Sequence, residues 1–290
     1  MKIKIPKNVN SDFEGYSAMI EIYHQTEKAD FSEVEIDFSQ NNWFDANLVA
    51  VLGAILSKVS TRNNVKLTNF NTRVGQLFER NHFLSYFGGR KLPDFYGTTV
   101  PYKKFRTIEA KLFDQYLETE LISRDNLPKM TEGLKRQIKR SIFEIFENAR
   151  IHGECKTIFI CGQCFPKDNR LDFAVVDMGK TIRKNVRECL DNKNLSGTDA
   201  IKWAVQEGHT TKKGPIPGGL GLSLIREFLQ KNNGKIQIVS SNGFWEQAGE
   251  KVKEACFERP FVGTIVNLEI NIADRASYCL ASEIKESQIF

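Results

Sequence analysis

A chain of 290 residues with 41% hydrophobic and 11% aromatic content is long enough for two modest folded units and too apolar for disorder. Its 41 basic and 36 acidic residues leave a net charge of +5, mild and spread along the chain, which argues for a solvated mixed-charge surface and against a nucleic-acid face. No run approaches the roughly 18 apolar residues that span a bilayer, no signal-peptide core is present, and six cysteines make no dense disulfide framework, so a cytoplasmic, reduced protein is expected.

The first six residues, Met1 to Pro6, alternate as a strand does. Val34-Glu-Ile-Asp-Phe38 alternates apolar and polar as a half-buried strand, and Asn41 to Asp45 is turn-rich. A helix from about Ala46 to Thr61 carries Leu48, Leu52, Ile55 and Val59 at helical spacing. Val65-Lys-Leu67 is a short strand, a further helix carries Val74, Leu77 and Phe78, and Gly88-Gly89 ends the unit. Strand, helix, strand, helix is the pattern of an α/β unit over residues 1–90. Residues 91–106 read as a linker that turns into an edge strand, where Pro101 is tolerated.

A helix from about Thr107 to Leu121 follows, then a second from Thr131 to Ile151 that has no Gly or Pro after Gly133. On the second, Ile142, Ile145, Phe146 and Ala149 share one side, while Glu144, Asn148 and His152 share the other and face out of the core, as an ordinary solvated face or towards a cleft. Cys161-Gly-Gln-Cys164 ends an apparent strand; with no second pair it makes no zinc site, and it opens no helix as a redox motif would. Asp177-Met-Gly179-Lys-Thr181 comes next, then two short helices, Arg183 to Leu190 and Asp199 to Gln206. Glu207 to Gly218 is rich in Gly, Pro and polar residues and reads as a mobile loop. Its His209, Thr210 and Thr211 read equally as phosphate contacts or loop surface, and Lys212-Lys213 would meet an anion. Gly218-Gly219-Leu220-Gly221-Leu222-Ser223 opens a helix running to Leu229. Lys235 to Val239 begins terminal hairpin strands, Thr264 to Ile270 is a late strand, and residues 243–258 and the tail 275–290 carry no assignment.

The order E-x-x-x-N (Glu144, Asn148), D-x-G (Asp177, Gly179), G-x-G-L-S (Gly219 to Ser223) and Gly263-Thr264 resembles the gyrase, chaperone, histidine kinase and mismatch-repair (GHKL) ATPase superfamily over roughly residues 96–273. The resemblance implies an α/β sandwich over residues 107–274 with a glycine-hinged lid and an ATP and Mg²⁺ site. Glu144 would activate a water or a substrate hydroxyl, and Asn148 would give an oxygen to Mg²⁺. Asp177 would read the adenine amino group and Gly179 would let the base approach. Gly219, Leu220, Gly221 and Leu222 would place backbone amides at a helix start beside the phosphates. Thr264 would close the adenine pocket from below. Family members often carry a second glycine where this chain has Thr181, at the first lid hinge.

The front unit, with Ile36-Asp37-Phe38 leading through Trp43-Phe44-Asp45 into a long helix, resembles the sulfate transporter and anti-sigma factor antagonist (STAS) domain. Members that act as phospho-switches place Ser or Thr at the helix start; Ala46 and Asn47 stand there instead, and Ser39 and Ser57 do not match the position. The fold expected is therefore α/β throughout, a STAS-like unit followed by a GHKL unit. The function expected is a bacterial ATP-dependent regulator, an ATPase switch or a protein serine/threonine kinase, the alternative being a nucleotide-binding interaction module without turnover. Expected partners are ATP and, through the STAS-like unit, another protein or a second copy, with no membrane partner. A histidine kinase would need a phosphorylatable His on a preceding helical hairpin, and the helices from Thr107 to His152 offer only His152, on the nucleotide face itself.

Overall fold

The computed structural model describes residues 1–211 and 220–284, a mixed α/β fold. The front unit runs β1 (Lys2–Lys4), β2 (Asn8–Val9), α1 (Phe13–Thr26), β3 (Glu33–Asp37), β4 (Trp43–Phe44), α2 (Leu48–Val59), β5 (Asn64–Thr68) and α3 (Thr72–Arg80). β1, β3 and β5 form a parallel sheet in that order, and β2 pairs with β4, so the turn-rich stretch before α2 contains a short strand. Lys2, Lys4, Glu33 and Lys66 are exposed on this sheet while Ile3, Val34 and Ile36 are buried, which leaves one face wet. α1 has no counterpart in the sequence reading. Asp12 caps it by accepting from Gly15 N–H at 2.8 Å, and Tyr16, Met19, Ile20 and Tyr23 form its buried stripe.

α2 departs from an amphipathic helix. Ten of its twelve residues are buried, so it is apolar all round and must be covered on both sides.

The second unit supplies the other cover. It runs β6 (Thr99–Arg106), α4 (Ala110–Leu117) continued by a π turn to Ile122, β7 (Lys129–Met130), α5 (Glu132–Ile151), β8 (Thr157–Phe165), β9 (Arg170–Asp177), α6 (Ile182–Leu190), α7 (Gly197–Ala204), α8 (Leu220–Lys231), β10 (Lys235–Ala248), β11 (Lys251–Asn271) and β12 (Ser277–Tyr278). Five strands form an antiparallel sheet in the order β10-β11-β9-β8-β6. β6 is an edge, and Pro101 falls where its register with β8 shifts. Residues 243–258, unplaced from sequence, complete a long β10–β11 hairpin that buries Phe244, Trp245 and Phe257. The tail after Asp274 adds β12 to β7. Residues 285–290 lie outside the described residues, as do the loop positions Lys212, Lys213, Gly218 and Gly219.

Each face of the large sheet has its own core. Ile158, Ile160, Phe173, Val175, Ile238 and Leu268 meet α4, α5, α7 and α8 on one face. Phe159, Cys161, Ala174, Val176, Val239 and Ile265 on the other are continuous with α1, α2 and the small sheet. The layers are therefore small sheet, α1 and α2, large sheet, then the remaining long helices. Cys161 and Cys164 sit inside β8 rather than at its end. They point to opposite faces, so they cannot share a metal or a disulfide.

A polar network stitches this seam. Asn47, fully buried, donates to Asn267 of β11 at 2.8 Å and exchanges hydrogen bonds with Ser11. Asn267 donates to Gln237 at 3.0 Å, and Tyr16 donates to the same Gln237 oxygen at 3.0 Å. Arg170 of β9 pairs with Asp172 and reaches Asp45 at 3.3 Å. Phe44 is buried inside the front unit against Phe38 and Phe78, whereas Trp43 lies at the seam, 6.2 Å from Phe165. Gly53 of α2 is required by close approach: a Cβ there would come within 2.4–2.6 Å of the Tyr102 ring of β6. Among the described residues no helix is long and apolar enough to cross a membrane.

Candidate functional site

α5 is the backbone of the site. Thr131 caps it by accepting from Leu134 N–H, and the helix then runs twenty residues without a break. Leu134, Ile138, Ile142 and Phe146 pin one side to the sheet. Glu144 and Asn148, one turn apart, are thereby presented along the rim of a cavity of about 140 Å³, a size that elsewhere holds one aromatic ring. Ile145 and Ala149, expected only as core, also line it.

The floor comes from the sheet. Val175 and Asp177 of β9, Thr264 and Val266 of β11, and Ile238 of β10 point into the cavity from one face. Asp177 is the last residue of β9 and is only 4% exposed. Burial among apolar neighbours pushes its carboxyl up to about 7, although the backbone N–H groups of Gly179, at 2.8 Å, and of Thr264 favour the charged form. Thr264 pairs with Asp177 across the strands, and its hydroxyl lies 3.1 Å from that of Ser240.

The third wall is α6, α7 and the chain after α7. Lys180, Asn185, Trp203, Val205, His209, Thr210 and Thr211 all line the cavity. The Trp203 and His209 rings lie with centroids 4.7 Å apart and planes tilted by 30°, and a His209 ring nitrogen is 3.0 Å from the Trp203 carbonyl. Thr211 meets His152 at 3.2 Å, and Asn185 donates to the His152 carbonyl at 2.9 Å, so this wall is tied to the end of α5. The Lys180 ammonium pairs with Glu188 at 2.5 Å.

Glu144, Asn148, Asp177, Leu222 and Thr264 are thus brought to one cavity from four separate segments. Two further expected positions have other work. A Cβ on Gly179 would fall 2.0 Å from the Gly153 carbonyl oxygen, so this glycine serves the packing of the β9 end on the α5 end, and it does not line the cavity. Thr181 is extended, with φ −73°, and its side chain caps α6; no glycine is needed there. Leu220 and Gly221 open α8, while Gly219 lies outside the described residues. Trp203, Val205 and Asn185 were not read from sequence. They belong to no motif and reach the cavity only because α6 and α7 fold against it; Lys180 could have been suspected from its place between Gly179 and Thr181.

The cavity thus combines one desolvated carboxylate on an apolar floor, an aromatic wall, and a carboxylate and an amide side by side at the mouth. Such a site can hold a flat polar ring inside and an anionic tail towards the mouth. No protein-family model matches the chain, and no curated protein matches it.

Proposed function

We propose that this cavity binds Mg-ATP in the manner of GHKL ATPases, and that the chain is an ATP-dependent regulator acting as an ATPase switch or a protein serine/threonine kinase. The observation that carries the reading is the convergence of Glu144, Asn148, Asp177, Leu222 and Thr264 on one cavity. Asp177 suits an exocyclic amino group: a buried carboxyl with backbone donors on one side accepts a hydrogen bond from a base on the other. Glu144 stands at the mouth, where the terminal phosphate of a nucleotide with its base on the floor would lie, and is placed to take a proton from a water or a hydroxyl.

The donor set fits Mg²⁺ as a companion of the nucleotide. Among the described residues no three His, Cys, Asp or Glu side chains gather as a metal cage, but Mg²⁺ is commonly held by one or two protein oxygens, substrate phosphates and waters. The Asn148 amide oxygen is the group that would hold it. When bound, the ion neutralises developing phosphate charge.

The front unit, in this reading, is a STAS-like docking module. Ala46 and Asn47 stand at its helix start in place of a hydroxyl residue, and both are fully buried, so no phosphorylation is expected there. A protein partner or second copy would have to use another surface.

Calorimetry with Mg-ATP, Mg-ADP and Mg-GTP tests the site. Adenine nucleotides should bind in preference to guanine, and Asp177→Asn should lose about 1–3 kcal/mol of affinity. Equal affinity in the variant and the native chain would reject it. γ-Labelled ATP then shows whether the label passes to water, to a protein, or nowhere; retained label with tight binding would identify an interaction module instead.

A further inference from the structure

Beyond the mouth of the cavity the chain forms a second, larger groove of about 740 Å³ between α5, α8 and the β10–β11 hairpin. Glu144 and Val205 line both spaces, so the two adjoin. The volume falls in the range of small-molecule sites.

Arg226 of α8 lines this groove and is half-buried. Its Nε donates to Gln247 Oε1 at 2.9 Å, its Nη1 donates to the Val205 carbonyl, and its guanidinium lies 5.1 Å from the centre of the Trp245 ring. All three neighbours are neutral. Burial disfavours its charge, and among the described residues no carboxylate lies within ion-pair distance. Three acids share the groove without pairing with Arg226: Glu227 pairs with Lys231 at 2.7 Å, Glu144 is 3.9 Å from Arg140, and Glu207 is exposed. Arg170 shows the contrast, since it is also partly buried but meets Asp45, Asp172 and Glu269. A desolvated guanidinium fixed by neutral groups, with its Nη2 making no hydrogen bond to the described residues, is a preorganised seat for an oxyanion.

We infer that this groove is an anion-binding site, adjoining the nucleotide cavity at Glu144, in which Arg226 receives a phosphate or carboxylate. The anion has two sources with the same chemistry: the terminal phosphate of the nucleotide, or an acidic group on a second substrate. The site stands on the setting of Arg226; only the choice of source rests on the nucleotide reading.

The experiment titrates the full chain with inorganic phosphate and follows the arginine Nε–Hε resonances by NMR, the Arg226 signal being assigned by its loss in Arg226→Lys. The Arg226 signal should shift saturably in the native chain. Arg226→Lys, which keeps the charge but loses the planar fork, should weaken phosphate binding roughly ten- to hundredfold at a temperature where the variant is still folded. If the nucleotide is the source, Arg226→Lys weakens Mg-ATP but not Mg-ADP, and phosphate competes with ATP alone. If a second substrate is the source, both nucleotides bind the variant as they bind the native chain while phosphate binding is lost. An Arg226 signal that phosphate leaves unmoved overturns the site; should the variant fail to fold, the site is overturned if no arginine Nε–Hε signal of the native chain shifts saturably with phosphate. A chain that binds no nucleotide but shifts Arg226 with phosphate would reject the ATP reading and keep the groove.

Discussion

The chemistry of Asp177 has a consequence for stability as well as for binding. Its carboxyl is pushed up to about 7 in the folded chain against an ordinary 3.8. Between those values the folded chain holds a proton that the unfolded chain has released, so this group's contribution to stability falls as pH rises through the window and stays low above it. Asp177→Asn carries no charge to desolvate. Relative to the native chain its melting temperature should rise from about pH 4 to about pH 8, and a difference that stays flat across that range would show that the carboxyl is not held up. Glu144, partly exposed at the mouth, should separate binding from turnover. Glu144→Ala should keep nucleotide affinity and lower phosphoryl transfer or hydrolysis about a hundred- to ten-thousandfold in steady-state assays. Native-rate turnover would remove this residue from the chemistry.

The elements differ in how openly the sequence declares them. α5 is plain because it has a Thr cap, no breaker after Gly133 and a clean division between Ile142 and Phe146 on one side and Glu144 and Asn148 on the other. α1 carries an equally regular stripe, Tyr16, Met19, Ile20 and Tyr23, but Gly15 and Ser17 in its first turns blur the pattern. The outer part of the β10–β11 hairpin, residues 243–258, hid because Lys251 to Glu254 are all exposed, and regular alternation of burial begins only at Phe261. Trp203 and Val205 hid for a different reason: which helix covers a cavity is decided by tertiary packing, and spacing along the chain does not encode it. α2 shows the same limit, since its periodic leucines were legible and its second buried face was not. That second face carries a testable contact. Asn47→Ala would strand buried polar groups on Ser11 and Asn267 and should cost about 1–3 kcal/mol in urea unfolding. A double-mutant cycle with Asn267→Ala should return a coupling of about 0.5–3 kcal/mol, and strict additivity would mean the seam bond carries no energy.

The molecule as a whole should unfold in one step. Its front unit and its large sheet share a continuous core, so neither can lose its packing without exposing the other. Far-ultraviolet circular dichroism and tryptophan emission should give coincident melting curves, since Trp43 lies at the seam while Trp203 and Trp245 lie in the second unit. Two separated transitions would show the units to be energetically independent. The burial of Asn47 against β11 also sets terms for any rival. The front unit is joined to β6 by the segment 88–98, and a unit held by so short a tether meets its own sheet at an effective concentration in the millimolar range. A free copy of the same unit, present at about 1 μM, starts roughly a thousandfold behind in local concentration. It displaces the resident only by binding that much more tightly. Exchange of front units between chains is therefore disfavoured by dilution alone.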